Sequence, residues 1–134
     1  MKFIFQLSVL LLLCGCTKSG THKVIVENKS EYDIQTIIYN YSYQNPSKYE
    51  VADSFITKAG FETVIAKIFP EDYVTSCSPP YDSISIIVIG KSELKIKVNL
   101  NSGETYRYSR SGSRSKGYHV ECRATITNTD IVPK

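Results

Sequence analysis

Apolar and polar residues alternate with a period of two along most of the chain, in short runs broken by turn residues, and that period is the signature of half-buried β-strands. Residues 23–28 (KVIVEN) predict a first strand, closed by Lys29 and Ser30. A second covers 32–43, with strict alternation at Tyr39, Tyr41 and Tyr43, and Asn45, Pro46 and Ser47 break it. A third covers 51–57, and Ala59-Gly60 reads as a tight turn that makes a hairpin with 61–69. Residues 70–81 form a longer loop. Residues 83–89 (SISIIVI) are apolar on both faces, which predicts a central, buried strand. Gly90, Lys91 and Ser92 turn into 94–100, where Leu94, Ile96, Val98 and Leu100 face inward while Lys95, Lys97 and Asn99 face out. Asn101, Ser102 and Gly103 lead into 104–109. The last strand, 118–127, sets Tyr118, Val120, Cys122, Ala124 and Ile126 on one face.

About eight strands roughly ten residues apart predict an all-β antiparallel sandwich, Ig-like or transthyretin-like, with a barrel as the other architecture of that pattern. Composition agrees. Residues 16–134 hold fourteen Ile, nine Val, ten Thr and ten Tyr but two Leu, and neither Met nor Trp. These are strand formers, so a helical bundle is excluded, as are the much longer Rossmann and TIM-barrel enzymes. Five of the seven Leu crowd into residues 7–13.

That Leu-rich run belongs to MKFIFQLSVLLLLCGC, residues 1–16. Lys2 precedes an apolar stretch over 3–13, too short for about 30 Å of hydrocarbon but of signal-peptide length. By itself this fits an ordinary signal peptide cut near Gly15, or a short anchor helix. Leu13-Cys14-Gly15-Cys16 further resembles the lipobox of bacterial lipoproteins, in which an aliphatic residue and a small residue precede the cysteine that is lipidated. Cys14 fits less well, because bulky Leu13 would precede it. The resemblance implies a removed signal peptide over 1–15, lipidation of Cys16, a polar tether over 16–22, and one domain over 23–134. The implied partner is membrane lipid, held through an acylated Cys16. Thr17 rather than Asp after the cysteine implies the outer membrane, by analogy with enteric bacteria. The tether lacks an acidic export cluster, so the expected side is the periplasm, with surface exposure the alternative.

Cys77 and Cys122 remain. In an oxidising compartment an even pair predicts a disulfide. Two free buried thiols are the rival, and a metal site or catalytic thiol has no CxxC or Cys/His spacing to support it.

The chain carries a net charge of +3, concentrated in 107–123, where Arg107, Arg110, Arg114, Lys116 and Arg123 stand against Glu121 alone. The interleaved Ser and Gly predict a mobile loop whose guanidinium groups reach lipid phosphates or acidic glycans; a merely solvated loop reads the same way. Nucleic acid suits the chemistry but not the compartment. Tyr39, Tyr41 and Tyr43 are candidates for stacking on sugar rings, or for half-buried packing. Asp82-Ser83-Ile84 resembles the short motif that Bacteroidota O-glycosylate at Ser83, and also reads as a strand start. For catalysis the sequence offers no motif with a mechanism, no cofactor signature and no metal-ligand spacing. A carboxylate pair assembled by folding, or His119 beside an acid, is the remaining route to a small hydrolase.

As a whole the chain resembles small lipoproteins common in Bacteroidota. The resemblance rests on the lipobox, the early Val26-Glu27-Asn28-Lys29-Ser30 followed by Asp33-Ile34, the Tyr81-Asp82-Ser83-Ile84 strand entry, and the closing Thr125-Ile126-Thr127-Asn128-Thr129-Asp130-Ile131. It implies a location and a fold, and no functional residues. The expected function is a membrane-anchored, non-catalytic module that binds an envelope protein or glycan, with an inhibitor or immunity-type lipoprotein as the alternative.

Overall fold

The computed structural model describes residues 20–45, 47–69, 74–113 and 115–134. Nine strands account for it: β1 Thr21–Asn28, β2 Ile34–Tyr41, β3 Tyr49–Thr57, β4 Glu62–Ile68, β5 Ser83–Val88, β6 Leu94–Ile96, β7 Arg107–Ser113, β8 Gly117–Ile126 and β9 Ile131–Pro133. They form an all-β sandwich. One sheet has the order β4-β1-β8-β7, the other β3-β2-β5, and β6 pairs with β9 in a short third. Every pairing is antiparallel except β1 with β8, which is parallel.

The alternation fixes what lies between the sheets. Val24, Val26, Val120, Cys122, Ala124 and Ile126 from the four-stranded sheet meet Ile34, Ile38 and Ile84 from the three-stranded one, with Leu100 and Tyr106 closing the core. Burial pushes the Tyr106 phenol up to about 12, and its hydroxyl donates to the Leu100 carbonyl at 2.8 Å. Cys77 and Cys122 are joined as a disulfide with Cα atoms 5.6 Å apart, which ties the loop before β5 to the middle of β8.

Four readings change. Residues 58–61 make no hairpin, because β3 pairs with β2 and β4 with β1, so the turn crosses between sheets. Gly60, at φ 79°, makes that crossing and donates its amide to the Asn28 carbonyl. β5 is an edge strand rather than a central one, and Ile87 and Ile89 on its flank are exposed. The tether ends sooner than expected, since β1 begins at Thr21 and His22 is buried. The basic run is no loop: β7 pairs with β8 over its whole length as a hairpin. Gly112, at φ 93°, allows it, since a Cβ there would collide with the Gly117 carbonyl. The inward alternation of Leu94, Ile96, Val98 and Leu100 holds, although only the first three residues of that segment pair as a strand.

Candidate functional site

The two outer faces of the sandwich differ in charge. On the four-stranded sheet, register aligns Lys23 with Lys67 and Glu121, then Ile25 with Val64 and Arg123, then Glu27 with Glu62 and Thr125. Arg123 pairs with Glu62, with Glu121 at 3.4 Å and with Glu27 at 3.8 Å. The Thr125 hydroxyl, helped by the Lys29 and Arg123 charges, holds the Glu27 carboxyl below its usual value, and Glu62 raises Arg123. On the three-stranded sheet the outer positions read Gln35, Ile56 and Ile87, then Ile37, Ser54 and Ser85, then Tyr39, Val51 and Ser83, then Tyr41 and Tyr49. None of these carries a charge.

This second face ends in a tyrosine-rich hairpin. The first six residues of β3 are all exposed, so the β2–β3 hairpin projects beyond the core. At its end the Tyr41 and Tyr49 rings stack with centroids 4.6 Å apart and planes 27° apart, and Tyr49 donates its hydroxyl to that of Tyr41 at 2.9 Å. That hydrogen bond is the main cause raising the Tyr49 phenol. Strand pairing places the two rings opposite each other, and a cross-strand aromatic pair favours offset stacking. Tyr43 lies past the end of β2 and is fully exposed. Depressions of about 380 and 500 Å³ flank Tyr41 and Tyr43, the first lined also by Asn40, Gln44 and Glu50, the second by Asp82. Asp82 Oδ2 accepts from the Tyr41 amide at 2.9 Å, which holds that carboxylate beside the ring. The result is an aromatic wall with the two tyrosine hydroxyls and the Asp82 carboxylate beside it, while Asn40 and Glu50, paired one residue along, point to the other face of the hairpin.

The sequence candidates distribute as follows. Tyr39 and Tyr41 share the outer face, but Tyr39 is half-buried with its hydroxyl 3.4 Å from that of Ser85. Tyr43 leaves the strand. Tyr49 and Asp82 join the tyrosines without a binding motif in the sequence to mark them; the signal for Tyr49 is its place across the Asn45-Pro46-Ser47 turn from Tyr41. The four described basic residues do not converge. Arg107 is in register with Arg123 on the outer face, whereas Arg110 is in register with inward-facing Val120 and lies over the Tyr118 ring at 4.9 Å. Strand parity sends Arg107 and Arg110 to opposite faces, and the carboxylates around Arg123 satisfy it. Lys116 is exposed in the turn, and Arg114 lies outside the described residues, as does Cys16. Ser83 is half-buried at the start of β5, opposite Tyr39. His119 Nδ1 lies 2.6 Å from the Thr21 hydroxyl, and His22 Nε2 lies 3.3 Å from Cys122 Sγ.

The end at which these groups lie follows from connectivity. Asn28 closes β1 beside the start of β2, the end of β3 and the start of β4. The β2–β3 tip is therefore at the opposite end, where β1 begins at Thr21 and the β7–β8 turn also lies. In comparisons with known proteins, no family model matches the chain, and no curated protein or solved structure matches it significantly.

Proposed function

We propose that the chain is a membrane-tethered, non-catalytic binding module of the bacterial cell envelope, and that its ligand is an uncharged envelope glycan received on the tyrosine hairpin. The observation that carries the reading is the uncharged outer face of β3-β2-β5 ending in the exposed Tyr41–Tyr49 stack. Aromatic faces pack against the C–H face of a sugar ring with little loss of side-chain entropy, while the Asp82 carboxylate and the paired Tyr41 and Tyr49 hydroxyls are placed for its hydroxyls. The lipobox resemblance at Cys16 supports the tether. In this reading the protein is an outer-membrane lipoprotein facing the periplasm. β1 starts at the same end as the tyrosine hairpin, so the sugar is met close to the lipid surface.

A glycan array probed with the protein, followed by titration calorimetry on the best ligand, tests this. Neutral hexose or N-acetylhexosamine chains should bind, and Tyr43→Ala should weaken that binding at least tenfold. An array without neutral-sugar binding would end the glycan reading. The projecting hairpin also has the shape of an inhibitor that enters a partner's cleft. Protection of a hydrolase by the protein, lost in Tyr43→Ala, would favour that alternative.

A further inference from the structure

The second sheet splits between β5 and β6. β5 bonds to β2 along one edge only, and β6 pairs with β9 instead of closing a hairpin on β5. At the start of the other edge Asn101 acts as a surrogate strand, accepting from the Ile84 amide at 2.7 Å and donating to the Ile84 carbonyl at 2.8 Å. Two residues on, that support ends. The seam opens into a trough of about 520 Å³, a size typical of ligand pockets. Ile86, Ile87 and Leu94 line it, Lys91, Lys95 and Lys134 stand around it, and no acidic side chain is among the described residues that line it. The trough lies at the end of the sandwich opposite the tyrosine hairpin.

An apolar floor takes a hydrocarbon chain, and lysine stems extend such a floor while their ammonium groups stay in water. Three cations at one opening call for an anionic head. We propose that this trough binds a long-chain fatty acid, its tail along Ile87 and Leu94 and its carboxylate met by Lys91, Lys95 and Lys134. Lysines beside an open strand edge also discourage edge-to-edge pairing. That protective role needs no cavity and predicts no ligand, so the two are separable.

The full chain carrying Cys16→Ala, which has no acyl chain of its own, is titrated with a dansyl-labelled undecanoate. Palmitate, hexadecanol and a glutamate-rich peptide then compete. Saturable one-site binding displaced by palmitate is expected. Lys91→Glu combined with Lys95→Glu should weaken palmitate at least tenfold and hexadecanol less than threefold. Ile87→Glu, at an exposed position, should weaken both, with the urea midpoint of each variant confirming the fold. Three results would overturn the proposal: no saturable binding below the concentration at which the acid self-assembles, binding indifferent to the lysine changes, or displacement by the peptide and not by palmitate. None depends on the tyrosine hairpin, so this proposal and the glycan reading fail separately.

Discussion

The side-chain amide of Asn28 donates to the main-chain carbonyl of Thr57 at 3.0 Å, joining the last residue of β1 to the last residue of β3 in the opposite sheet. The same amide donates to the Tyr32 carbonyl at 2.7 Å, and its oxygen accepts from the Ser30 amide and hydroxyl. The Asn28 main chain holds the crossing turn through Gly60 and Phe61. Asn28 is fully buried. Asn28→Ala would take the side-chain partner from the Thr57 carbonyl and the Ser30 amide, while the Ser30 hydroxyl still donates to the Tyr32 carbonyl at 3.2 Å, so a loss of about 2 kcal/mol is expected. Urea unfolding measures it, and a loss below about 1 kcal/mol would show that Asn28 is not the hub of this end.

The disulfide links residues 45 apart in sequence. By the loop-entropy estimate, opening it costs about 4 kcal/mol, a large part of the 5–15 kcal/mol of an ordinary domain. Cys77→Ser combined with Cys122→Ser should therefore lower the urea midpoint severely. Labelling the unfolded but unreduced wild-type chain at Cys77 and Cys122 should find no free thiol, and two labels would refute the pairing.

Strand positions were legible because each run alternates against a real core, and Val120, Cys122, Ala124 and Ile126 are buried as their spacing required. Partnership was not legible. Ala59-Gly60 has the composition of a hairpin turn, yet Gly60 and Phe61 are bound by Asn28, some thirty residues away, and no local pattern carries that. The doubly apolar 83–89 segment promised a central strand, but its second apolar face is partly left to solvent, with Ile87 44% exposed. The Ser-rich basic run hid a strand because Arg and Ser suit a solvated edge as well as a loop; Tyr106 and Tyr108, both packed on the core, were the available signal. Within the candidate site, the tyrosines were visible and the carboxylate at their foot was not, since Asp82 reaches Tyr41 only through the pairing of β2 with β5.

Acid should destabilise the fold in two stages. Burial holds the His22 imidazole below its ordinary 6.5. The disulfide sulfur has no proton, so in this contact His22 Nε2 is the donor and Cys122 Sγ the acceptor. As pH falls below about 6.5 the unfolded chain takes up a proton that the folded chain resists, so this stability is complete above 6.5 and lost towards the depressed folded value. Glu27 shifts the other way in charge but not in consequence. Its folded carboxyl is depressed, so its contribution is present above 4.5 and is lost as pH falls through the folded value. Urea unfolding from pH 7.5 to 2.5 should show both stages. His22→Gln should flatten the upper one and leave the lower. A wild-type curve flat between pH 7 and 5.5 would overturn the assignment.

The tyrosine hairpin should separate binding from stability. Tyr43 touches solvent on all sides, and Tyr49 is half exposed, its ring held by Tyr41 alone among the described aromatic contacts. Surface substitutions of this kind cost little, within about 0.5 kcal/mol for Tyr43→Ala. Tyr49→Ala also removes a stacked pair, so about 1 kcal/mol is expected there. A residue that anchors a ligand loses far more in affinity than the fold loses in stability. Each alanine variant should weaken glycan binding at least tenfold, about 1.4 kcal/mol, in calorimetry. Tyr49→Phe gives the finer cut. It keeps the ring that stacks on Tyr41 and removes the hydroxyl that donates to it, so the Tyr41 hydroxyl loses its donor and gains freedom to turn. Near-wild-type affinity in Tyr49→Phe would assign recognition to the ring faces. A tenfold loss there would assign it to the paired hydroxyls. Full affinity in both Tyr43→Ala and Tyr49→Ala would remove the hairpin from the binding surface altogether, and would leave the flat middle of the sheet, around Ile37, Ser54 and Ser85, as the face to probe next.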